Sequence, residues 1–266
     1  MLTDNKSTSI LAVTSGKGGV GKSFTTVNLA EIITYMGYRV AVIDADIGLS
    51  NSATLLNESV AYTVKDWVNG ECYLEELPQK LDAFTLITAN DKPGLNNVEK
   101  MHLMNALDQV VEFLKPSKDF IFIDTPAGVG EMTLWSLDQA DIGLLLLVDE
   151  PTAVADAYRL CKYIYSIAPN YKFVNIVNFS ADIDTAKNTN EQFNNVLRYF
   201  LEKQTEYLGF IPYTKEVSKL VCNQNTILDN RKSLTELEKQ FFSICHSMID
   251  FLKKDRPRKQ KFEQLI

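Results

Sequence analysis

The chain has 266 residues, 45% of them apolar and 23% charged, with 12 Gly and 8 Pro. Those globular proportions exclude a wholly disordered, collagen-like or coiled-coil chain, and the length favours one large α/β domain over two ordinary ones. The net charge of −7 is uneven: residues 253–266, KKDRPRKQKFEQLI, hold six Lys/Arg against two Asp/Glu, so residues 1–252 carry −11. An acidic body argues against nucleic acid as a partner, whereas a short basic tail suits an anionic membrane surface.

No apolar run approaches the ~20 residues that span a bilayer. The N-terminal MLTDNKSTSILAVTS shows no basic region followed by a long apolar core and a small-residue cleavage site, so the expected location is cytoplasmic. Cys72, Cys161, Cys222 and Cys245 form no CxxC pair, which favours reduced thiols over a metal or redox site.

In chain order, short apolar runs rich in β-branched residues begin at Ile10 (ILAVTS), Arg39 (RVAVID), Phe84 (FTLITA), Phe120 (FIFID), Ile142 (IGLLLLVD), Phe173 (FVNIVN) and Leu208 (LGFIP). Most are continuous rather than alternating, which predicts strands covered on both faces. Helical spacing fills the stretch up to about Met36, then Val98–Leu114, Ala153–Ile167 and Glu191–Leu201. Residues 49–83 are the least regular, with a short amphipathic element around Val64–Val68. Strand and helix in alternation predict a three-layer α/β fold with a mostly parallel, doubly wound sheet. The expected organisation is a single domain over residues 1–252 and a basic tail over 253–266. From Leu234 to Lys254, Leu237, Phe241, Phe242, Ile244, Cys245, Met248, Ile249 and Leu252 form a helical apolar stripe, expected to pack on the body.

Directly after the first strand comes Gly16-Lys17-Gly18-Gly19-Val20-Gly21-Lys22-Ser23, followed by a helix. This is GxxxxGK[ST] in its required setting. Glycines let backbone N–H groups turn towards phosphate oxygens, and the helix N-terminus adds its positive end. Lys22 is placed to reach the β/γ-phosphates and the Ser23 hydroxyl to complete a Mg²⁺ shell. Carboxylates at neighbouring strand ends suit the remaining chemistry, since ligands of open α/β sheets bind there. Asp124 precedes Thr125-Pro126-Ala127-Gly128, while Asp44 and Asp46 open Asp46-Ile47-Gly48-Leu49-Ser50-Asn51. A plain turn or cap role is the alternative for each.

KGGVGKS resembles the variant phosphate loop of the MinD/ParA class of P-loop ATPases, and DADIGLSN and DTPAG resemble that class's two switch segments. The resemblance runs from about Ile10 to about Leu228. It implies ATP/ADP and Mg²⁺ as cofactors, weak hydrolysis of ATP to ADP and phosphate, and a homodimer in the ATP-bound state. In it Lys17 reaches the partner's nucleotide, Lys22 the chain's own, and the nucleotide is cradled from Gly16 to Phe24. Asp46 positions the attacking water, and the metal set comprises Ser23, Asp44, Asp46 and Asp124. It also implies that Asn178 reads the adenine edge and that Pro212 forms the other wall; an Asn at a strand end is otherwise a common turn former.

Two positions depart from the class: Phe24 replaces a small or polar residue, and Ser52-Ala53 follow Asn51 where relatives carry a hydrophobe and then Asp. The string Asp149-Glu150-Pro151-Thr152-Ala153-Val154-Ala155-Asp156-Ala157-Tyr158, with VNLA at 27–30 and LGFIP, is similar to the flagellar-number regulators FlhG, FleN and YlxH. That similarity implies flagellar assembly or regulatory proteins as partners. The bland reading of the string is a helix start with Thr152 as its cap and Asp156 in its first turn. The N-terminal MLTDNKSTS does not match the glutamine-containing activator segment of some flagellar relatives, so stimulation of a partner GTPase by that route is not expected. A MinD-type division regulator and a DNA-partitioning ParA ATPase are the alternatives, the latter disfavoured by the acidic body. A metal-cluster carrier lacks its CxxC, and a capsule-type tyrosine kinase lacks its tyrosine-rich tail.

Overall fold

The structure, a computed structural model, describes residues 8–47, 51–92, 94–228 and 235–254. Three expectations therefore lie outside the described residues: the Gly48–Ser50 part of the first switch, Leu234, and the tail beyond Lys254, with Pro257, Phe262, Leu265 and Ile266. Each apolar run forms a strand: β1 (Ser9–Thr14), β2 (Val40–Asp44), β4 (Thr85–Thr88), β5 (Phe120–Asp124), β6 (Ile142–Val148), β7 (Phe173–Ser180) and β8 (Glu206–Pro212). A two-residue strand, β3 (Gln79–Lys80), is additional. It pairs antiparallel with β4 and is too short and polar to show a period in sequence. The order is β3-β4-β2-β5-β1-β6-β7-β8, parallel at every other pairing. Such crossovers bring the C-terminal ends of β1, β2 and β5 side by side.

The helices are α1 (Lys22–Tyr35), α2 (Asn51–Leu55), α3 (Val64–Val68), α4 (Asn97–Leu114), α5 (Glu131–Gln139), α6 (Pro151–Ile167), α7 (Ile183–Leu201), α8 (Lys215–Cys222) and α9 (Glu236–Lys254). Spacing alone predicts neither α2, α5 nor α8. Helix α7 begins at Ile183 rather than near Glu191, because the Asp182 side chain caps it by accepting from the Thr185 N–H; its polar first turns hide the period. Helix α6 corrects the cap assignment: Glu150 is the N-cap, without a side-chain bond, and Pro151 opens the helix, so Thr152 is already helical.

Both faces of the sheet are covered. One apolar cluster joins it to α4, α5, α6 and α7 through residues such as Leu107, Leu137, Leu160 and Phe193. The other joins it to α1 and α9 through Leu29, Ile33, Phe241, Ile244 and Met248. The predicted α9 stripe is thus spent on the body, with Leu237, Phe241, Ile244, Cys245 and Met248 buried. Among the described residues no helix is long and apolar enough to cross a membrane.

Candidate nucleotide site

The loop 15–22 leaves β1 and enters α1 through Gly21, whose φ of 87° is the left-handed region that suits glycine. Gly16 is required for a different reason. A Cβ there would lie within 3.0 Å of the backbone of Asp156 and Ala157, so the loop runs directly against α6. The Ser15 hydroxyl donates to the Lys17 carbonyl at 2.7 Å and accepts from Lys22 Nζ at 3.1 Å, which folds Lys22 back over the loop. The second switch is tied to the same turn, with Gly128 N–H donating to the Ser15 carbonyl at 3.0 Å.

Parallel register sets the acidic side of the site. Asp124 stands opposite Val13 on β1 and Asp44 on β2, so the carboxylates of β2 and β5 end at one level. Both are buried. Asp44 accepts from the backbone N–H of Asp46 at 3.1 Å and of Ser52 at 3.0 Å. It therefore holds the first switch at both ends, which is the supporting role expected of it. Neither carboxylate oxygen of Asp124 has a hydrogen-bond partner. Burial, and then the Asp44 charge, raise the Asp124 carboxyl from an ordinary 3.8 to about 8. The Ser23 hydroxyl approaches without completing a hydrogen bond, and together with Lys22 it opposes that rise more weakly. Burial likewise lowers Lys22, while Asp124 and then Asp46 pull it back up.

An orphaned, buried carboxyl beside a serine hydroxyl fits a hard divalent cation, which prefers oxygen ligands and keeps several waters and phosphate oxygens. Among the described residues no group of three or more His, Cys, Asp or Glu side chains forms a self-sufficient metal cage; a Mg²⁺ site shared with a nucleotide does not need one. A cleft of about 300 Å³ between α3 and α4, lined by Trp67, Val68, His102, Asn105, Ala106 and Gln109, includes none of these residues.

Lys17 points away from Lys22 and pairs with Glu150 at 2.5 Å on the protein surface. The 149–158 string is therefore more than a helix start: Glu150 holds the first lysine of the loop, and Asp156-Ala157 abut its first glycine. Spacing did not reveal this; the intact string was the available signal. Phe24, the departure in the loop, is buried and meets Phe241 of α9 edge-on at 6.3 Å between centroids. Asn28 of VNLA accepts from the Ile227 N–H at 2.8 Å, fastening α1 to the segment after α8.

Asn178 sits at the expected strand end but is 1% exposed. Its Nδ2 donates to the Val20 carbonyl at 2.7 Å and its Oδ1 accepts from the Phe179 N–H at 2.9 Å. The amide thus braces the phosphate loop, and reading a base edge would require it to turn or to use its remaining N–H. Pro212 ends the neighbouring strand, in register with Ser180.

Residues 11–227 match the CobQ/CobB/MinD/ParA nucleotide binding domain. The chain belongs to this family. Among similar proteins, the antiactivator FleN of Pseudomonas aeruginosa is 31% identical over 83% of this chain and 79% of its own length. The flagellum site-determining protein YlxH of Helicobacter pylori is 36% identical over 60% of this chain and 55% of its own length. The septum site-determining protein MinD of Pyrococcus horikoshii, solved with Mg-ADP, superposes with a TM-score of 0.73 at 20% identity, covering 92% of this chain and 97% of that one. That likeness establishes the doubly wound fold, and the family match establishes the chain as a MinD/ParA-type nucleotide-binding protein.

Proposed function

We propose that the chain is a dimerising ATP switch that hydrolyses ATP to ADP and phosphate and regulates flagellar number or placement. The observation that carries the reading is one loop bearing two lysines with divergent surroundings: Lys22 folded over its own cradle, and Lys17 held at the surface by Glu150. A chain's own phosphates need Lys22. A surface lysine at the mouth of the cradle suits phosphates on a second subunit.

In this reading Lys22 and the loop N–H groups bind and orient the triphosphate, which lowers the barrier by positioning and charge stabilisation. Ser23 and Asp124 would hold Mg²⁺, which when bound supplies positive charge to the phosphate oxygens. Asp46 takes the attacking water, and Asp44 keeps Asp46 in place through its backbone N–H. Lys17 exchanges Glu150 for the partner's phosphates, and the loss of that phosphate charge on hydrolysis releases the dimer. The flagellar assignment rests on the similarity to FleN and YlxH, and on the 149–158 string that contacts the loop.

Light scattering with ATP and Mg²⁺ tests the switch. Asp46→Ala should trap a dimer and Lys17→Ala should lose both dimerisation and turnover. A nucleotide-independent monomer in both the parent and Asp46→Ala overturns the reading. Flagellar counts by electron microscopy in a strain lacking the gene test the role; unchanged number and position refute it. The basic tail makes docking on an anionic membrane surface part of the proposal, with attraction of about 1 kcal/mol per net charge, doubled in a dimer.

A further inference from the structure

Beside the phosphate loop, at the C-terminal ends of β7 and β8, two aromatic rings stand outside the core. Phe179 follows Asn178 in the left-handed region, with φ 56°, a conformation that costs a large side chain free energy and persists where the surroundings impose it. It is 38% exposed, and Tyr213, the residue after Pro212, is 71% exposed. Their rings meet edge-on, 6.3 Å between centroids and 87° between planes. The corner is tied together by backbone: Tyr213 N–H donates to the Ser180 carbonyl at 2.8 Å, and Asn178 accepts from the Phe179 N–H. It also touches the cradle. A Cβ on Gly21, the last loop glycine, would lie 3.4 Å from Phe179 Cζ.

A nucleotide whose phosphates fill the loop must leave it past Gly21 and the start of α1, and there it meets this corner. Asn178, the polar candidate at that point, is buried and engaged with Val20 and Phe179. What the protein presents is flat apolar surface, which suits the face of a heterocyclic base rather than its edge. We propose that Phe179 and Tyr213 form the stacking platform for the nucleobase and supply the base-dependent part of nucleotide affinity. The strained backbone at Phe179 is then the means by which the strand end turns that ring outwards while Asn178 stays inside as a brace. The inference rests on the nucleotide-switch reading and adds to it the residues that hold the base.

Stacking of a base on an aromatic side chain is worth about 5- to 100-fold in affinity. The test is calorimetric titration of the whole chain with Mg-ADP and, separately, with Mg-pyrophosphate, which has the phosphates but no base. Phe179→Asn tolerates the left-handed backbone, and Tyr213→Ala makes no demand on it. Each should weaken Mg-ADP by about 5-fold or more and leave Mg-pyrophosphate within 2-fold of the parent. Parallel weakening of both ligands overturns the proposal, since it would mark the rings as supports of the loop; unchanged ADP affinity in both variants overturns it as well. A parent chain that binds neither ligand refutes the nucleotide reading itself, a distinguishable result.

Discussion

Replacing Asp124 with Asn isolates the strain of a buried carboxyl. Burial and the neighbouring Asp44 raise that carboxyl from 3.8 to about 8 in the folded chain, while the unfolded chain ionises near the ordinary value. Between those two pH values the folded state therefore binds more protons than the unfolded state, and stability falls as pH rises. The slope is about 1.4 kcal/mol per pH unit for one proton, so going from pH 5 to pH 7 costs about 2.7 kcal/mol. With a urea dependence near 3 kcal/mol per molar for a chain of this size, the midpoint drops by about 1 M. Asp124→Asn keeps the shape and lacks the ionisation, so its midpoint should lack that drop and pass the parent's as pH rises. Urea unfolding of nucleotide-free protein at pH 5, 6, 7 and 8, followed by the fluorescence of Trp67 and Trp135, reads the difference. Parallel pH dependence in parent and variant refutes the reasoning. The same variant should lose Mg²⁺-dependent tightening of ADP binding, because the oxygen that a cation would take is gone.

Phe241→Ala should destabilise by about 3–5 kcal/mol, as expected for emptying a fully buried aromatic site, and should also weaken ADP binding because that ring backs Phe24 at the start of α1; denaturation and titration check both. Gly16→Ala forces a Cβ against the backbone of α6, so nucleotide binding should fail while circular dichroism stays native. Glu150→Gln breaks a pair whose members are 43% and 56% exposed, so stability should change by less than about 1 kcal/mol, and a larger loss in thermal unfolding would contradict that. A chain ending at Leu252 should float less with anionic liposomes and ATP than the full chain; equal behaviour removes the tail from the membrane proposal.

The strands were legible because residues such as Leu11, Val42, Phe122 and Leu146 are buried on both sheet faces and leave continuous apolar runs. The phosphate loop was legible for a local reason, since glycines, lysine and serine at fixed spacing are what a backbone cradle needs. Helices α2, α5 and α8 were not, because short helices hold too few turns to display a period, and β3 has only two residues.

The amino-acid order by itself determined which segments become strands, where the phosphate cradle lies and which acids stand at strand ends. Tertiary structure decided what those groups face. Asp44 and Asp124 are 80 residues apart in the chain and became level neighbours only through the register of β2 with β5. Lys17 found Glu150, and Gly16 found Ala157, because β6 lies beside β1 and aims α6 at the loop. Asn178 turned inward and Phe179 outward through one left-handed residue. Sequence spacing records contacts along the chain; charge pairing, desolvation and close approach between strands 100 residues apart arise only once the crossovers place them together.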